Sequence, residues 1–341
     1  MLDDKDIQKI KNELDNCKNP LFFFHDDPDG LCSFLLFYRY KGEGNGVVVK
    51  RSTPQVDDKF LHKIEEYNPD KIFILDLAVV DENFTTNVNV PVVWIDHHTP
   101  LKVRNVKRFN PKIKDKTDGT PVTAICYEVV KRDMWIAFVG TVGDWFFPSF
   151  YDKFKEKYPD LVGDETDPGK ILFKSKIGKL IKVFSFILKG KTQDANKCYK
   201  ILTRIEDPYE ILDKRTAPGK YLMKKYEKIN EEYDSLLRDA SNKVSKEDLL
   251  VYTYAANHMS FTGDLANELF FRFPTKLIIV GREKSGQIKM SLRFKKPLLK
   301  ILKKALEEVD GKGGGHEYAC GASVKTEDFG KFTENLKKQI K

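Results

Sequence analysis

Residues 21–30 read LFFFHDDPDG, an apolar run followed directly by a turn rich in potential metal ligands. A short, continuously apolar run is typical of a strand buried on both faces of a parallel sheet. Residues 72–75 (IFIL) and 92–95 (VVWI) have the same character, and 47–49 (VVV) predicts a fourth strand. Helical patterns lie between these runs, for example over 57–67. We therefore predict an α/β fold with a doubly wound, mainly parallel sheet.

Each of the three apolar strands is followed by side chains that commonly bind metals. The first is followed by a turn, the second by an aspartate and the third by a mixed triplet: His25 to Gly30, Asp76, and Asp96-His97-His98. Because the carboxyl ends of parallel strands meet at one edge of a sheet, we expect these side chains to converge. In the first turn the ligand types alternate, which places them on one side of an extended backbone: His25, Asp27 and Asp29.

The expected ligand set mixes imidazole and carboxylate groups. Such a set suits Mn²⁺ or a similar divalent ion, with Mg²⁺ or Zn²⁺ less well matched or less exclusive. Mg²⁺ and Co²⁺ are the expected substitutes. Several carboxylates around two ions about 3.5–4 Å apart form a two-metal hydrolytic centre, which activates water and neutralises charge on phosphoryl oxygens. We therefore predict two Mn²⁺ ions per site. Taken alone, an acidic turn such as 26–29 is more often a cap or a surface loop.

The composition favours a polyanionic partner. Lys and Arg number 59 against 51 Asp and Glu, which gives a net charge of +8. This excess suits a nucleotide or a nucleic acid, although a solvated lysine-rich surface explains it equally well. The five cysteines form no C-x-x-C pair and indicate a reduced, cytoplasmic protein. We expect neither a signal peptide nor a membrane span, since no apolar run reaches about 18 residues.

The period of the hydrophobic pattern changes along the chain and divides it into three parts. Residues 1–213 are predicted as the catalytic domain, with a loop or excursion at 151–169 and a helical extension at 170–213. Residues 214–247 are predicted as a helical linker, because 217–247 carries apolar residues at helical spacing between charges. Strand and helix patterns return in 248–341, which we predict to be a smaller α/β domain.

The order of the motifs resembles that of the DHH phosphoesterase family. The first domain carries H-x-D-x-D-G, a lone strand-end aspartate, D-H-H and G-D, at His25 to Gly30, Asp76, Asp96 to His98, and Gly143-Asp144. The second domain resembles a DHHA1 domain, with Ser291-Leu292-Arg293, then Gly313-Gly314-Gly315-His316, then Ala319 to Ala322. The resemblance covers most of the chain.

The resemblance implies a role for each matching residue. The metal ligands would be His25, Asp27, Asp29, Asp76, His97 and Asp144, with Asp76 bridging two ions. His98 would contact the substrate phosphate and assist protonation, and Asp96 would orient the histidines from behind. Asp26 is extra to the pattern and is left unassigned.

The second domain is expected to bind the substrate. Gly313, Gly314 and Gly315 are interpreted as a loop whose backbone N–H groups form a nest for an anion. His316 would hydrogen-bond the same phosphate, and Arg293 offers a bidentate guanidinium. Asn267 is a further candidate contact. A plain flexible glycine loop is the alternative interpretation.

The leading functional hypothesis is hydrolysis of nucleotides or short single-stranded oligonucleotides, linear dinucleotides above all and cyclic di-AMP among the candidates. The alternative within the family is a RecJ-like exonuclease on longer single-stranded DNA or RNA, because the first motif is similar to that of RecJ-like members. A pyrophosphatase or polyphosphatase, and a replication partner without activity, are two further hypotheses. The resemblance also allows a homodimer.

Overall fold

The computed structural model describes residues 1–50 and 55–340. The chain divides into two compact units, Met1–Tyr226 and Glu227–Lys341. The long helix α13 (Ala217–Asn242) contains the division and occupies most of the segment predicted as a helical linker. Within the described residues, no helix is both long enough and apolar enough to cross a bilayer.

The first unit is organised around a parallel sheet, as predicted. Its strands are β1 (Pro20–His25), β2 (Asn45–Val49), β4 (Lys71–Leu75), β6 (Val92–Ile95) and β7 (Lys107–Phe109). They lie in the order β2-β1-β4-β6-β7, and every pairing is parallel. Two short strands, β3 (Gln55–Val56) and β5 (Val79–Val80), pair separately. All carboxyl ends of the main sheet therefore point to one edge.

Helices cover both faces of this sheet. One face packs on α2 (Pro28–Lys41), and the other on α3 (Leu61–Tyr67) and α4 (Glu82–Asn87). The remaining helices before α13 are α1 (Asp4–Asp15), α5 (Val122–Val130), α6 (Met134–Gly143), α7 (Tyr151–Lys157), α8 (Pro159–Val162), α9 (Pro168–Lys174), α10 (Lys176–Ile187), α11 (Thr192–Leu202) and α12 (Pro208–Leu212).

The apolar run 21–24 supplies the centre of both layers. Successive side chains of a strand point to opposite faces. Phe22 stacks on Phe73 at 5.4 Å and Phe24 stacks on Phe34 of α2 at 4.6 Å. Phe23 faces the other way and meets Phe84 of α4 edge-to-face at 5.9 Å. Both faces of β1 are thus buried, which is why the run is continuously apolar.

The prediction of a loop at 151–169 was wrong. The segment contains α7 and α8 and reaches the start of α9. Phe154 is fully buried and stacks on Phe138 at 3.8 Å, and Leu161 is also buried. The many Lys and Asp residues lie on the solvent side of these short helices, and Pro159 begins α8 rather than interrupting a helix.

The second unit is a smaller α/β domain, as predicted. Its sheet has the order β11-β12-β10-β9-β8, with β8 parallel to β9 and the other pairs antiparallel. The strands are β8 (Leu249–Ala255), β9 (Leu277–Lys284), β10 (Gln287–Arg293), β11 (Gly311–Gly315) and β12 (Ala319–Lys325). One face carries α14 (Thr262–Arg272), and the other packs on α15 (Leu298–Leu306) and α16 (Phe329–Ile340).

Candidate active site

The turn after β1 serves as the N-cap of α2. Asp27 accepts a hydrogen bond from the Gly30 backbone N–H at 2.9 Å, and its second oxygen lies 2.7 Å from His25 Nδ1. Pro28 occupies the first position of the helix. A Cβ on Gly30 would lie 2.6 Å from the backbone N and O of His25. Only glycine lets α2 begin this close to the end of β1.

Asp29 belongs to α2, but its side chain caps the N-terminus of another helix, α5. The backbone N–H groups of Val122 and Thr123, at the start of α5, donate to its carboxylate at 2.9 and 2.7 Å. The residue in the N-cap position of α5 is Pro121, which makes no side-chain cap. Asp29 therefore satisfies helix donors that would otherwise be unpaired, and those donors fix its carboxylate. No sequence pattern indicated this pairing, because the partners are distant along the chain.

Asp76 stands at the end of β4 in a left-handed conformation. Its φ is +56°, and the residue is almost fully buried, at 1% exposure. Its backbone N–H donates to Ile95 O at 3.0 Å. Oδ2 lies 3.2 Å from His25 Nδ1, whereas Oδ1 is buried and has no hydrogen-bond partner among the described residues. Strained backbone and an unpaired buried oxygen are typical of functional positions.

The triplet after β6 is held by two side chains. Asp96 is buried; one of its carboxylate oxygens lies 2.7 Å from His98 Nδ1 and the other accepts from the His98 backbone N–H at 3.0 Å. Asn110, also buried, donates from Nδ2 to Asp96 at 3.3 Å and to His98 O at 3.0 Å. Asn110 was missed by the sequence reasoning. Its position directly after β7, at the same sheet edge, was the available signal.

His97 and Asp144 complete the cluster. His97 Nε2 lies 3.5 Å from Asp76 Oδ1, and His97 Nδ1 lies 3.6 Å from Asp144 Oδ2. His97 Nδ1 is buried and has no hydrogen-bond partner in the part of the chain that the structure describes. Asp144 is delivered by the end of α6, where a Cβ on Gly143 would lie 2.8 Å from Pro28 Cβ, so the two helix ends pack closely.

The predicted residues form three interlocking groups, in each of which the ligand atoms lie within 4.8 Å of one another. The groups are Asp76 with His97 and His98, His25 with Asp27 and Asp76, and Asp29 with His97 and Asp144. Asp76 and His97 each belong to two groups. The structure thus brings together the metal ligands predicted for the first-domain site and His98. Asp26 lies outside these three groups, and its Oδ1 is 3.7 Å from His25 Nε2.

Burial and crowding perturb the carboxylates strongly. Burial, reinforced by the charges of Asp27 and Asp29, raises the pKa of Asp76 well above its usual range. Burial, together with the charges of Asp29 and Asp27, also raises the pKa of Asp144 well above its usual range. Burial and Asp27 also raise the pKa of Asp29 to about 7, despite the N–H donors of α5. Excess negative charge is therefore concentrated in one buried place.

The two histidines of the cluster shift in opposite directions. Burial by itself would lower the pKa of His25, but the carboxylates of Asp27 and Asp76 outweigh it and raise that pKa well above the usual value. Burial, together with His98, lowers the pKa of His97 to about 4. His97 is therefore a neutral imidazole at physiological pH, the form that ligates a metal.

The donor set fits divalent cations. Within residues 1–50 and 55–340, Asp76 Oδ1 and His97 Nδ1 are buried without hydrogen-bond partners, which is costly unless another group satisfies them. The carboxylates repel one another, and bound cations would relieve that repulsion. Nitrogen and oxygen donors in combination are the ligands of Mn²⁺ and similar ions.

The glycines of the second unit form a strand, not the loop that we predicted. Residues 311–315 are the edge strand β11, in which Gly314 pairs with Gly321 of β12. Cross-strand pairing to β12 explains the difference, because glycine offers no side-chain pattern from which to predict a strand. A Cβ on Gly313 would meet Leu302 at 3.0 Å, whereas a Cβ on Gly314 would meet no described atom within 4 Å. Gly314 thus leaves an open surface beside the strand.

The other predicted substrate residues lie on the same sheet or next to it. Arg293, the last residue of β10, donates from Nε to Asn267 Oδ1 of α14 at 2.6 Å and from Nη1 to Leu292 O at 2.8 Å. Burial lowers its pKa to about 10, so the guanidinium remains charged at neutral pH. The hydrogen bond from Nε means that Asn267 orients Arg293. His316 follows β11 and donates its backbone N–H to Ala319 O at 2.9 Å.

Comparison with known proteins identifies the second unit. Residues 247–341 match the family model of the DHHA1 domain. No curated protein matches the chain in sequence.

Solved structures match nearly the whole chain. RecJ of Thermus thermophilus in complex with Mn²⁺ is 16% identical, with a TM-score of 0.68; the match covers 98% of this chain and 54% of RecJ, so the chain spans about half the length of that relative. The DHH domain of a member of a family of ribosomal proteins is 15% identical, with a TM-score of 0.68 and coverage of 98% and 89%. The pGpG-specific phosphodiesterase PggH of Vibrio cholerae is 14% identical, with a TM-score of 0.50 and coverage of 95% and 99%.

These likenesses show a shared fold, and the family model identifies the carboxyl-terminal domain. They agree with the order of the H-x-D-x-D-G, D-H-H and G-D motifs in the first unit. The second unit is therefore a DHHA1 domain, and the chain as a whole has the fold of the matched RecJ and DHH-domain structures.

Proposed function

We propose that this chain is a metal-dependent phosphodiesterase that hydrolyses nucleotides or short single-stranded oligonucleotides, with linear dinucleotides as preferred substrates. The observation that carries the proposal is the overlap of three His/carboxylate groups through Asp76 and His97. Shared ligands are what a centre with two adjacent ions requires.

Six residues would hold the ions: His25, Asp27, Asp29, Asp76, His97 and Asp144. When bound, divalent ions acidify water and neutralise the charge that develops on a phosphate. Mn²⁺ is the proposed physiological ion, with Mg²⁺ or Co²⁺ as substitutes; the matched Thermus RecJ structure contains Mn²⁺.

His98 is proposed to act on the substrate phosphate. The carboxylate of Asp96 accepts from Nδ1, so that nitrogen carries a proton and Nε2 is directed elsewhere. In the protonated imidazole, Nε2 would donate a hydrogen bond to a phosphoryl oxygen and would supply a proton to the leaving oxygen. Asp96 fixes the orientation of the His98 ring, and Asn110 holds Asp96 in place.

The DHHA1 domain is proposed to bind the rest of the nucleotide. Arg293 offers a charged guanidinium, and Gly314 and Gly321 leave a floor without side chains, on which a sugar or a base can lie close to the backbone. His316 at the end of β11 would contact a phosphate. A substrate with a sugar and a base is favoured over pyrophosphate, because a glycine floor for a sugar or a base serves no purpose for a small inorganic anion.

Two substrate lengths are candidates, a dinucleotide and a longer single strand. The name of PggH, a pGpG-specific phosphodiesterase, supports a dinucleotide. The higher TM-score of RecJ supports the second candidate, an exonuclease that degrades longer single-stranded DNA or RNA.

Substrates of graded length decide between these functions. We would incubate the protein with Mn²⁺ and 5′-labelled oligonucleotides from a dinucleotide upward, with cyclic di-AMP and pyrophosphate in parallel. Fastest cleavage of the dinucleotide supports the proposal, and processive degradation of long strands supports the RecJ-like alternative. Rapid release of phosphate from pyrophosphate would overturn both.

Location and assembly are separate proposals. The cysteines Cys17, Cys32, Cys126, Cys198 and Cys320 are free and buried, which suits a reducing cytoplasm. Analytical ultracentrifugation would distinguish a monomer from the homodimer that the family resemblance allows.

A further inference from the structure

One tryptophan differs from the other two in its surroundings. Trp94 and Trp135 are buried in the first unit, at 1% and 2% exposure, whereas Trp145 is 39% exposed. Trp145 directly follows Asp144, whose carboxylate lies 3.6 Å from His97 Nδ1. A large aromatic surface therefore meets solvent one residue away from the candidate metal centre.

The backbone of Trp145 is in an unfavourable conformation for its side chain. The Trp145 N–H donates to Val142 O at 2.9 Å and the Phe146 N–H donates to Thr141 O at 3.2 Å, the pattern of a Schellman motif at the end of α6. Trp145 occupies the left-handed position of that motif, with φ at +60°. Glycine is the usual residue there, because a Cβ is strained in this region. A tryptophan in that place suggests a use for the ring that outweighs the strain.

Two phenylalanines lie near Trp145 in space or in sequence, Phe173 half-buried and Phe147 exposed. The ring of Phe173 lies 5.8 Å from the ring of Trp145 at an interplanar angle of 57°. Phe147, two residues further along the chain, is 38% exposed and contacts Tyr151 at 4.9 Å. Exposed aromatic rings beside a site that acts on nucleotides are typical stacking platforms for bases.

We propose that Trp145 is a specificity residue that stacks on a nucleobase of the substrate while the attached phosphate occupies the metal centre. The inference rests on the proposed phosphodiesterase function and deepens it. Its physical basis is the covalent adjacency of Trp145 to Asp144, since a base lies only one sugar away from its phosphate. Phe173 supports the ring of Trp145 from one side.

The test compares a dinucleotide with its abasic analogue in Mn²⁺, using the full chain. In Trp145→Gly, KM for the dinucleotide should rise on the order of 5-fold or more, while the kinetics with the abasic analogue stay unchanged. Trp145→Phe should retain most of the binding. The melting temperature of Trp145→Gly should equal or exceed that of the wild type, since glycine relieves the left-handed strain.

Lys131→Gly is the matched control. Lys131 ends α5 with φ at +50° and a largely exposed side chain, so glycine relieves the same kind of strain without removing an aromatic ring. Its KM for the dinucleotide should equal that of the wild type.

Three results would overturn the inference in different ways. If Trp145→Gly keeps the wild-type KM while the wild type is active, the stacking role is rejected and the proposed function stands. If Trp145→Gly loses activity equally with both substrates, Trp145 acts only by positioning Asp144. If the wild type hydrolyses neither substrate, the proposed function fails as well.

Discussion

Asp96 makes two contacts with His98, at 2.7 Å to the ring Nδ1 and at 3.0 Å from the backbone N–H. The neighbouring histidine in the chain, His97, instead lies between Asp76 and Asp144. Asp96 thus positions His98, whereas His97 lies among the carboxylates, and both imidazoles share one group with Asp76. This difference in surroundings supports the separate roles that we propose for the two histidines.

Asp96→Asn should lower kcat with little effect on metal binding. The NH₂ group of the amide can donate to His98 Nδ1, which favours the wrong tautomer of the ring and leaves Nε2 protonated in its place. We expect kcat for the dinucleotide to fall on the order of 10²-fold or more, while the Mn²⁺ dissociation constant changes less than about 10-fold. Steady-state kinetics and Mn²⁺ titration measure the two quantities.

The double variant Asp96→Asn with His98→Ala provides the control. If Asp96 acts through His98, the double variant should be no slower than His98→Ala alone. Additive losses would contradict the assigned pair.

Gly30→Ala should destabilise the fold and weaken metal binding together. The added Cβ would lie 2.6 Å from the backbone N and O of His25, so either β1 or α2 must move. We expect a loss of about 1–3 kcal/mol in the free energy of unfolding and weaker Mn²⁺ binding, because His25 shifts. Gly119→Ala is the control, since a Cβ there meets no atom of the described chain within 4 Å. Equal stability of the two variants would refute the steric explanation.

Asp76→Asn should stabilise the metal-free protein and inactivate the enzyme. Burial raises the pKa of Asp76 in the folded state. In the unfolded chain the Asp76 carboxyl has a pKa of about 3.9. Above that pH the unfolded chain has lost the carboxyl proton while the folded chain still holds it. The free energy of unfolding of the wild type therefore falls until pH passes the folded pKa. Asparagine tolerates the same positive φ and does not titrate.

In EDTA at pH 8, the variant should therefore melt a few degrees above the wild type, and the gap should close near pH 4. Mn²⁺ should stabilise the wild type alone. A metal-free variant that is less stable at pH 8 would show that Asp76 contributes to stability through its charge.

Mn²⁺ binding should weaken as pH is lowered from 8 to 6. In the metal-free protein, Asp29 has a pKa of about 7, and the pKa values of Asp76, Asp144 and His25 are also raised. A ligating group must lose its proton, so metal binding releases protons and each one costs about tenfold in affinity per pH unit below its pKa. Calorimetry in buffers of different ionisation enthalpy measures the number released. An affinity that stays constant between pH 8 and 6 would exclude this ligand set.

Most of the architecture could be predicted from the sequence, because apolar runs of strand length and helical periods are local signals. The convergence of His25, Asp76 and Asp96–His98 at one edge followed from parallel topology alone. The glycine strand β11 was misjudged, since glycine carries no side-chain period. The short helices α7 and α8 were missed, because polar residues dominate one side of each.

The finer features of the site depend on pairings between distant residues. The bonds from the start of α5 to Asp29, and those from Asn110 to the triplet, join positions with no common local pattern. The left-handed backbone of Asp76 and of Trp145 likewise has no local signature, because glycine, the residue that usually marks a positive φ, stands at neither position. Only the folded chain shows which residues hold the predicted ligands in place.

The central claim is that the Asp76 cluster is a metal-dependent phosphodiesterase centre. The most direct measurement is the rate of dinucleotide hydrolysis by the wild type and by Asp76→Asn, each titrated with Mn²⁺ after removal of metal by EDTA. We predict that the wild type is inactive without metal and regains activity with Mn²⁺, and that the variant remains at least about a thousand-fold slower at every concentration. Hydrolysis that persists in EDTA, or an Asp76→Asn variant as active as the wild type, would contradict the account.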